Sequence, residues 1–232
     1  MRTLYISPLE SYQAVRFAGE HVRTFLQGQM TADIAHCTAR TFRSCYFCQY
    51  QGKVVANGYL LVLSDNYAVF LCHLSLAHTL MEYLNPYAQL SRIDLSLLHF
   101  TYYGLSYSNK RHDLPAVLDY KRSDDFVIAT LAPGLSIAFG EKRPIDTWLA
   151  KQNDVANASA SWWSVRMLQA SQCMLTMQQH LKFTPNMLGS IPSPSVSLSK
   201  GCYTGQEVIA RTFHLGKPKR SLYTLSTQSY LY

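Results

Sequence analysis

The segment from Lys200 to Glu207, which reads KGCYTGQE, places one cysteine between two glycines directly before a predicted helix. Thr204 and Glu207 are spaced as in a capping box, in which both side chains bond free N–H groups of the first helical turn. We therefore predict a helix that begins here and continues to Arg211. Cys202 would lie outside the positive end of this helix and close to Lys200, and both features favour a thiolate. The segment predicts a functional thiol, and a small apolar residue packed under a loop is the alternative.

The composition indicates a globular chain with a basic balance. Its 232 residues include 21 Lys and Arg against 14 Asp and Glu, a formal net charge of +7. This charge favours an anionic partner, but the basic residues are spread too evenly to name one. No apolar run has the length of a signal-peptide core near the N-terminus or of a membrane span elsewhere. We expect a soluble, cytoplasmic protein with no membrane partner.

Six cysteines are scattered along the chain: Cys37, Cys45, Cys48, Cys72, Cys173 and Cys202. Without a secretion signal, such spacing predicts reduced thiols instead of a disulfide framework. Cys45 and Cys48 have the C-x-x-C spacing of a redox pair or of half a zinc site. Their segment is predicted to be a strand, however, in which residues three apart point to opposite faces. We therefore expect Cys45, Cys48 and Cys72 to be structural, and we predict no metal site.

Hydrophobic patterning predicts short strands mixed with helices, which is typical of an α+β protein. The predicted strands are 42–50, 54–63, 67–72, 93–105, 126–130 and 135–139, of which the first two form a hairpin. The predicted helices are 19–27, 75–84, 145–152 and the one that begins at Thr204. Gly28 is expected to end the first helix in a left-handed conformation, and Asn85-Pro86 is expected to end the second.

KGCYTGQE resembles the signature of the YgfZ family of folate-binding proteins, which are related to the glycine-cleavage T protein and include a mitochondrial iron–sulfur assembly factor. Further segments match the family in the same order along the chain. They are Phe25–Asp33 (FLQGQMTAD), the hairpin from Cys48 to Val54, the run from Trp162 to Met167, and Phe183–Asn186. The resemblance extends from about Gly19 to Arg220.

This resemblance implies two intertwined α+β units of the aminomethyltransferase type. Residues 1–40 and 145–220 would form the first unit, and residues 41–144 the inserted one. The N-terminal loop near Gln27 and the KGCYTGQE loop would then meet around a central pocket. Family members usually continue into a C-terminal β-barrel. In this chain the barrel would be absent or truncated, with residues 221–232 as what remains of it.

The resemblance also implies tetrahydrofolate or another reduced folate as the ligand of this pocket. A folate requires aromatic walls for its pterin, amide or carboxylate partners, and peripheral cations for its glutamate tail. The motif residues that could supply these groups are Gln27, Thr31, Asp33, Asn57, Trp162, Arg166, Lys200, Tyr203, Gln206, Glu207 and Arg211. Each has a structural alternative, such as a helix cap for Glu207 or a turn cap for Asp33.

T-protein relatives carry an acidic residue on the strand after the hairpin turn, where this chain reads Val54-Val55-Ala56-Asn57. Asparagine cannot act as a general base or stabilise a developing cation as an ionised aspartate would. Aminomethyl transfer is therefore not expected. The resemblance instead implies a folate-binding accessory protein that supports iron–sulfur enzymes, including some that modify tRNA, with those enzymes or their assembly proteins as partners.

Two other functions are compatible with the sequence. A folate-dependent one-carbon transferase would require a general base, which the sequence does not supply. A direct tRNA-binding module is suggested by the basic run Lys217–Arg220 and the positive net charge. Such a run is more often a solvated surface, and no interleaved aromatic residues accompany it.

Overall fold

The computed structural model describes residues 3–35, 41–108, 111, 113–123, 125–191, 193–216 and 220–225. Within these ranges the strands are β1 (Leu4–Pro8), β2 (Tyr12–Ala18), β3 (Thr41–Cys48), β4 (Val54–Ser64), β5 (Tyr67–His73), β6 (Asp94–Leu98), β7 (Thr101–Ser106), β8 (Tyr120–Arg122), β9 (Phe126–Ala132), β10 (Leu135–Gly140) and β11 (Val155–Asn157). The helices are α1 (Val22–Gln29), α2 (Leu74–Leu90), α3 (Lys142–Ala150), α4 (Ala160–Gln169) and α5 (Gln206–Leu215). In this part of the chain, no helix has both the length and the apolar character needed to cross a membrane.

The strands form two open sheets. Sheet 1 has the order β11-β1-β7-β10-β9-β8, and sheet 2 has the order β3-β4-β5-β2-β6. Neighbouring strands are antiparallel, except that β1 and β11 run parallel. The described residues form no closed barrel, and 221–225 form no strand. The predicted α+β fold class is therefore confirmed.

The chain enters both sheets at its N-terminal end. β1 lies in sheet 1, β2 lies in sheet 2, and the chain returns to sheet 1 only at β7. The chain therefore passes from sheet 2 back to sheet 1 between Leu98 and Thr101. The division of the chain into one unit inserted within another stays a prediction.

The two sheets pack face to face, and helices cover their outer faces. The layer between them includes Phe42 and Tyr59 from sheet 2 and Phe139 from sheet 1. Helices α1 and α2 cover sheet 2, and α3 covers sheet 1. Helix α4 packs on β1 and β7. A Cβ added at Gly104 of β7 would lie 2.4 Å from the ring of Trp163, so that only glycine lets α4 approach this closely.

Three expectations about helix ends are wrong. Gly28 lies inside α1, which continues to Gln29. Helix α2 runs through Pro86, because Leu84 and Ala88 stay buried on either side of it and this packing outweighs the hydrogen bond that proline removes. Helix α5 has no side-chain cap, because the left-handed residue Gly205 precedes it. The capping box of Thr204 and Glu207 is therefore absent.

The predicted strand 93–105 is in fact two strands, β6 and β7, which belong to different sheets. Leu98 is the last residue of β6 and Thr101 the first of β7. The chain must change direction between them, because β6 pairs with β2 while β7 pairs with β1 and β10. A continuous apolar pattern cannot reveal such a crossing between layers.

Cys45 and Cys48 both lie in the core between sheet 2 and its helices, contrary to the expectation that they point to opposite faces. The register of β3 against β4 shifts between Phe47 and Cys48, and this bulge changes the alternation of side chains. Burial raises the pKa of both thiols. The five described cysteines are free, and the described residues contain no cluster of metal-ligating side chains. Cys37 and residues 217–219 lie outside the described residues.

Candidate functional site

Three segments that are distant in sequence meet at the N-terminal end of α5. They are residues 27–35 at the end of α1, the hairpin turn 49–53, and residues 197–206, which include most of the KGCYTGQE segment. We call these three segments the motif junction. The backbone N–H of Thr204 donates to the carbonyl of Gly28 at 3.2 Å, and that of Ser197 donates to the carbonyl of Thr31 at 2.9 Å. The motifs that match the YgfZ pattern are thus in direct contact.

Lys200 is buried at the centre of the motif junction, with 8 % of its surface exposed. Its Nζ donates to three backbone carbonyl oxygens, those of Gln27 (2.7 Å), Met30 (2.7 Å) and Ala32 (2.8 Å). The ammonium group also lies 4.8 Å from the ring centroid of Tyr203, which is itself buried. Burial lowers the pKa of Lys200 to about 8, although Cys45 and Asp33 oppose this shift. All three ammonium hydrogens are used to hold the loop after α1.

The polar residues of that loop also bond within the protein. Thr31 is fully buried; its Oγ1 donates to the carbonyl of Ser195 at 2.6 Å and accepts from the N–H of Tyr46 at 3.0 Å. The side-chain amide of Gln27 donates to Asp33 Oδ1 at 2.9 Å. Asp33 Oδ1 also accepts a backbone N–H from Ala35 at 3.0 Å. These groups order the loop that Lys200 holds.

Two glycines let the hairpin turn pack against α5. Gly205 has φ +86°, and a Cβ there would lie 2.7 Å from the carbonyl oxygen of Gln49. Gly52 has φ +73°, and its Cβ would lie 3.2 Å from Val208. Any other residue at these positions would be strained and would push the hairpin away from the helix. This contact gives a physical reason for a glycine in each motif.

Cys202, Glu207 and Arg211 lie on the exposed side of the motif junction. Glu207 and Arg211 form an ion pair of 2.6 Å along α5, and both side chains are more than half exposed. Gln206, which is half-buried, donates to the carbonyl of Lys200 at 3.3 Å. Cys202 is an exposed free thiol and forms no hydrogen bond with the described residues. The motif junction therefore leaves this thiol accessible to solvent, two residues from the buried Lys200.

A cavity of about 670 Å³ is lined by residues of both sheets, and Cys202 is not among its lining residues. Its volume is within the range of small-molecule sites, about 300–1,000 Å³. The hydrogen-bonding side chains in its wall include Ser44, Tyr46, Asn57, Tyr59, Gln172 and Ser190. Among the described residues, no Asp, Glu, Lys, Arg or His lines it. The wall is therefore polar but uncharged.

Asn57 is the predicted ligand residue that lines this cavity. Its Nδ2 donates to the carbonyl of Cys173 at 2.6 Å, and its Oδ1 accepts the N–H of Leu175 at 2.8 Å. An aspartate could accept the second bond but could not donate the first. Nearby, the hydroxyl of Tyr59 donates to Oε1 of Gln172 at 2.9 Å. Asn57 thus fixes the loop that forms one wall of the cavity.

Trp162 and Arg166 lie on α4, apart from the motif junction. The indole N–H of Trp162 donates to Oγ of Ser106 at 3.0 Å, and its ring packs beside Tyr5 with centroids 5.3 Å apart. Arg166 donates to Oε1 of Gln169 at 3.0 Å. The predicted site residues are therefore divided among the junction, the cavity and α4, and the structure does not bring all of them together.

The sequence analysis did not select Tyr46, Tyr59 or Gln172. Tyr59 is two residues from Asn57 on β4 and therefore on the same face, and Tyr46 pairs with Asn57 across the hairpin. The alternation within the hairpin could have found both tyrosines. Gln172 has no such signal, because its loop reaches the cavity only through the tertiary fold.

No protein-family model matches the chain. The chain is 28% identical over 240 residues to the tRNA-modifying protein YgfZ of Buchnera aphidicola subsp. Schizaphis graminum, and the match covers 97% of this chain and 74% of that protein. It is 26% identical over 227 residues to the tRNA-modifying protein YgfZ of Aliivibrio fischeri strain MJ11, with 95% and 70% covered.

A solved structure with a similar fold is the aminomethyltransferase T of the glycine cleavage system from Bartonella henselae. The TM-score is 0.77 at 12% sequence identity, and the match covers 92% of this chain and 64% of that one. At this identity the likeness concerns the fold alone. The resemblance inferred from the motifs is therefore confirmed: over almost its whole length this chain is similar in sequence to the YgfZ proteins, and it has the fold of a glycine-cleavage aminomethyltransferase.

Proposed function

We propose that this protein binds tetrahydrofolate or another reduced folate between its two sheets and acts as an accessory protein in tRNA modification, by supporting iron–sulfur enzymes. The observation that carries this proposal is the cavity of about 670 Å³ in a fold of the aminomethyltransferase type. The names of the YgfZ relatives support a role in tRNA modification. The iron–sulfur clients are implied by the resemblance of the motifs.

The wall of the cavity fits the uncharged, hydrogen-bonding edge of a pterin. Gln172 and the hydroxyl groups supply donors and acceptors, while Tyr46 and Tyr59 supply flat apolar surface. Burial raises the pKa of Tyr46 to about 12, and that of Tyr59 well above its usual value. Both phenols therefore stay neutral at physiological pH. The Tyr59 hydroxyl already donates to Gln172, so its oxygen offers a ligand an acceptor.

The cavity and the exposed thiol of Cys202 are separate features, and we assign them separate roles. Folate occupies the cavity, and Cys202 meets the partner protein at the surface. The neighbouring residues Lys200 and Gly205 are packed in the motif junction, and we infer that this packing preorganises the Cys202 thiol. A preorganised group loses less conformational freedom than a flexible one when it contacts a partner protein.

The direct test of folate binding is calorimetry with tetrahydrofolate on two matched variants of α4. Leu168 lines the mouth of the cavity and is half exposed, whereas Val165 is equally exposed and does not line the cavity. We expect Leu168→Trp to weaken tetrahydrofolate binding by about tenfold or more, since filling an occupied space costs roughly 1–3 kcal/mol. Val165→Trp should bind as the unchanged protein does.

Two results would contradict this assignment. Absence of both heat and a thermal shift at millimolar tetrahydrofolate would refute folate binding. Equal weakening by Leu168→Trp and Val165→Trp would place the ligand elsewhere.

A second expectation is that glycine-cleavage aminomethyl transfer is absent, because Asn57 supplies no carboxylate. We further expect that Asn57→Asp does not create this activity and lowers the free energy of unfolding by about 1–3 kcal/mol, because a carboxylate would face the buried carbonyl of Cys173. A coupled assay with aminomethylated carrier protein and tetrahydrofolate, alongside denaturant unfolding, measures both. The first expectation is wrong if the unchanged protein forms methylene-tetrahydrofolate continuously, at a rate proportional to the protein concentration.

A further inference from the structure

A second cavity, of about 400 Å³, adjoins the first. Both cavities are lined by Cys173, Met174, Leu188 and Leu222. The wall of the second cavity is mainly apolar and includes Phe183 and Met187. A ligand that fills the first cavity therefore has a continuous apolar surface beside it, along which a linker can extend.

The two cavities differ in charge. The described part of the first wall contains no ionised side chain, whereas that of the second contains one, Arg220. Arg220 is exposed and has no ion-pair partner among the described residues. Its segment is attached to the body of the protein by the N–H of Leu222, which donates to the carbonyl of Met187 at 2.9 Å. A free guanidinium thus lies at the rim of an apolar cavity.

We propose that the second cavity binds the carboxylate-bearing end of the ligand whose uncharged head occupies the first, and that Arg220 pairs with that carboxylate. This inference rests on the proposed function. From the first cavity to Arg220, the surfaces are polar and neutral, then apolar, then cationic. A pterin, a benzoyl group and a glutamate follow one another in the same order in a folate, and guanidinium is a strong partner for carboxylate.

The test compares tetrahydrofolate with 6-methyltetrahydropterin, which lacks both the benzoyl group and the glutamate, on four proteins by calorimetry. We expect Arg220→Gln to weaken tetrahydrofolate binding about three- to fivefold, the upper part of the range for an exposed ion pair, and Arg220→Glu to weaken it further. Neither substitution should change the affinity for 6-methyltetrahydropterin. Arg122→Gln, at an exposed position on β8 that lines neither cavity, is the matched control and should leave both affinities unchanged.

Salt provides a second readout on the unchanged protein. Tetrahydrofolate binding should weaken as ionic strength rises, because an exposed charge pair is screened, while 6-methyltetrahydropterin binding should not.

The outcomes separate the two proposals. If Arg220→Glu binds tetrahydrofolate as tightly as the unchanged protein does, the second cavity is not the subsite for the carboxylate-bearing tail, while folate binding itself stands. Weakening of both probes by Arg220→Gln would also overturn the tail subsite, because the effect would not depend on the tail. If neither probe binds the unchanged protein, folate binding itself fails and the tail subsite with it.

Discussion

Replacing Lys200 with methionine is expected to lower the free energy of unfolding by about 2–4 kcal/mol. The substitution leaves three backbone carbonyls in the motif junction without their donor, at a cost of about 1–3 kcal/mol for each orphaned group, and relief of the buried ammonium offsets part of this. Methionine keeps the length and apolar stem of lysine, so that packing changes little. Guanidinium chloride unfolding measures the effect.

Lys182→Met is the matched control, because Lys182 is an exposed lysine and its substitution should change the unfolding free energy by no more than about 0.5 kcal/mol. If Lys200→Met lowers the free energy of unfolding no more than Lys182→Met does, the motif junction does not depend on the ammonium group. Hydrogen exchange should also rise in residues 27–35, because this is the loop whose carbonyls Lys200 binds.

Replacing Cys202 with serine is expected to abolish support of the dependent iron–sulfur enzymes while folding and tetrahydrofolate affinity are retained. Serine keeps the size and polarity of the side chain but removes the soft nucleophile. Cys202 is exposed and forms no hydrogen bond with the described residues, so that its substitution should cost no more than about 0.5 kcal/mol. The measurement is the fraction of modified tRNA in a strain that lacks the protein and carries the variant.

Ser199→Ala is the control for this experiment, because Ser199 is exposed in the same loop and carries no thiol. It should restore tRNA modification as the unchanged protein does. If Cys202→Ser restores modification equally well, Cys202 is a surface residue without a chemical role. The functional group would then have to be sought among Gln206, Glu207 and Arg211.

The contrast between Lys200 and Cys202 shows what a motif can and cannot reveal. The two residues are separated only by Gly201, and the sequence favours a charged or reactive role for both. In the fold, Lys200 points into the motif junction and is enclosed by carbonyls, whereas Cys202 is exposed. The direction of the Lys200 side chain depends on the loop after α1, some 170 residues earlier in the chain.

The errors in secondary structure have a similar cause. The predicted end of α2 at Pro86 follows a correct local rule, but burial of the helix face on sheet 2 outweighs it. Local sequence patterns also give no signal for β1, a short strand whose partners β7 and β11 come from much later segments. Such strands exist because of their pairing and not because of their own propensity.

The sequence by itself determined the features whose physical cause is local. The hairpin of β3 and β4 follows from apolar runs around a Gly-Lys turn. Only the tertiary structure decided which polar groups are used within the protein and which remain free for a ligand. Asn57 bonds a loop more than 110 residues away, and Arg220 has no partner within the described residues. A hydrogen bond is set by the distance between two atoms in space, and sequence separation does not predict that distance.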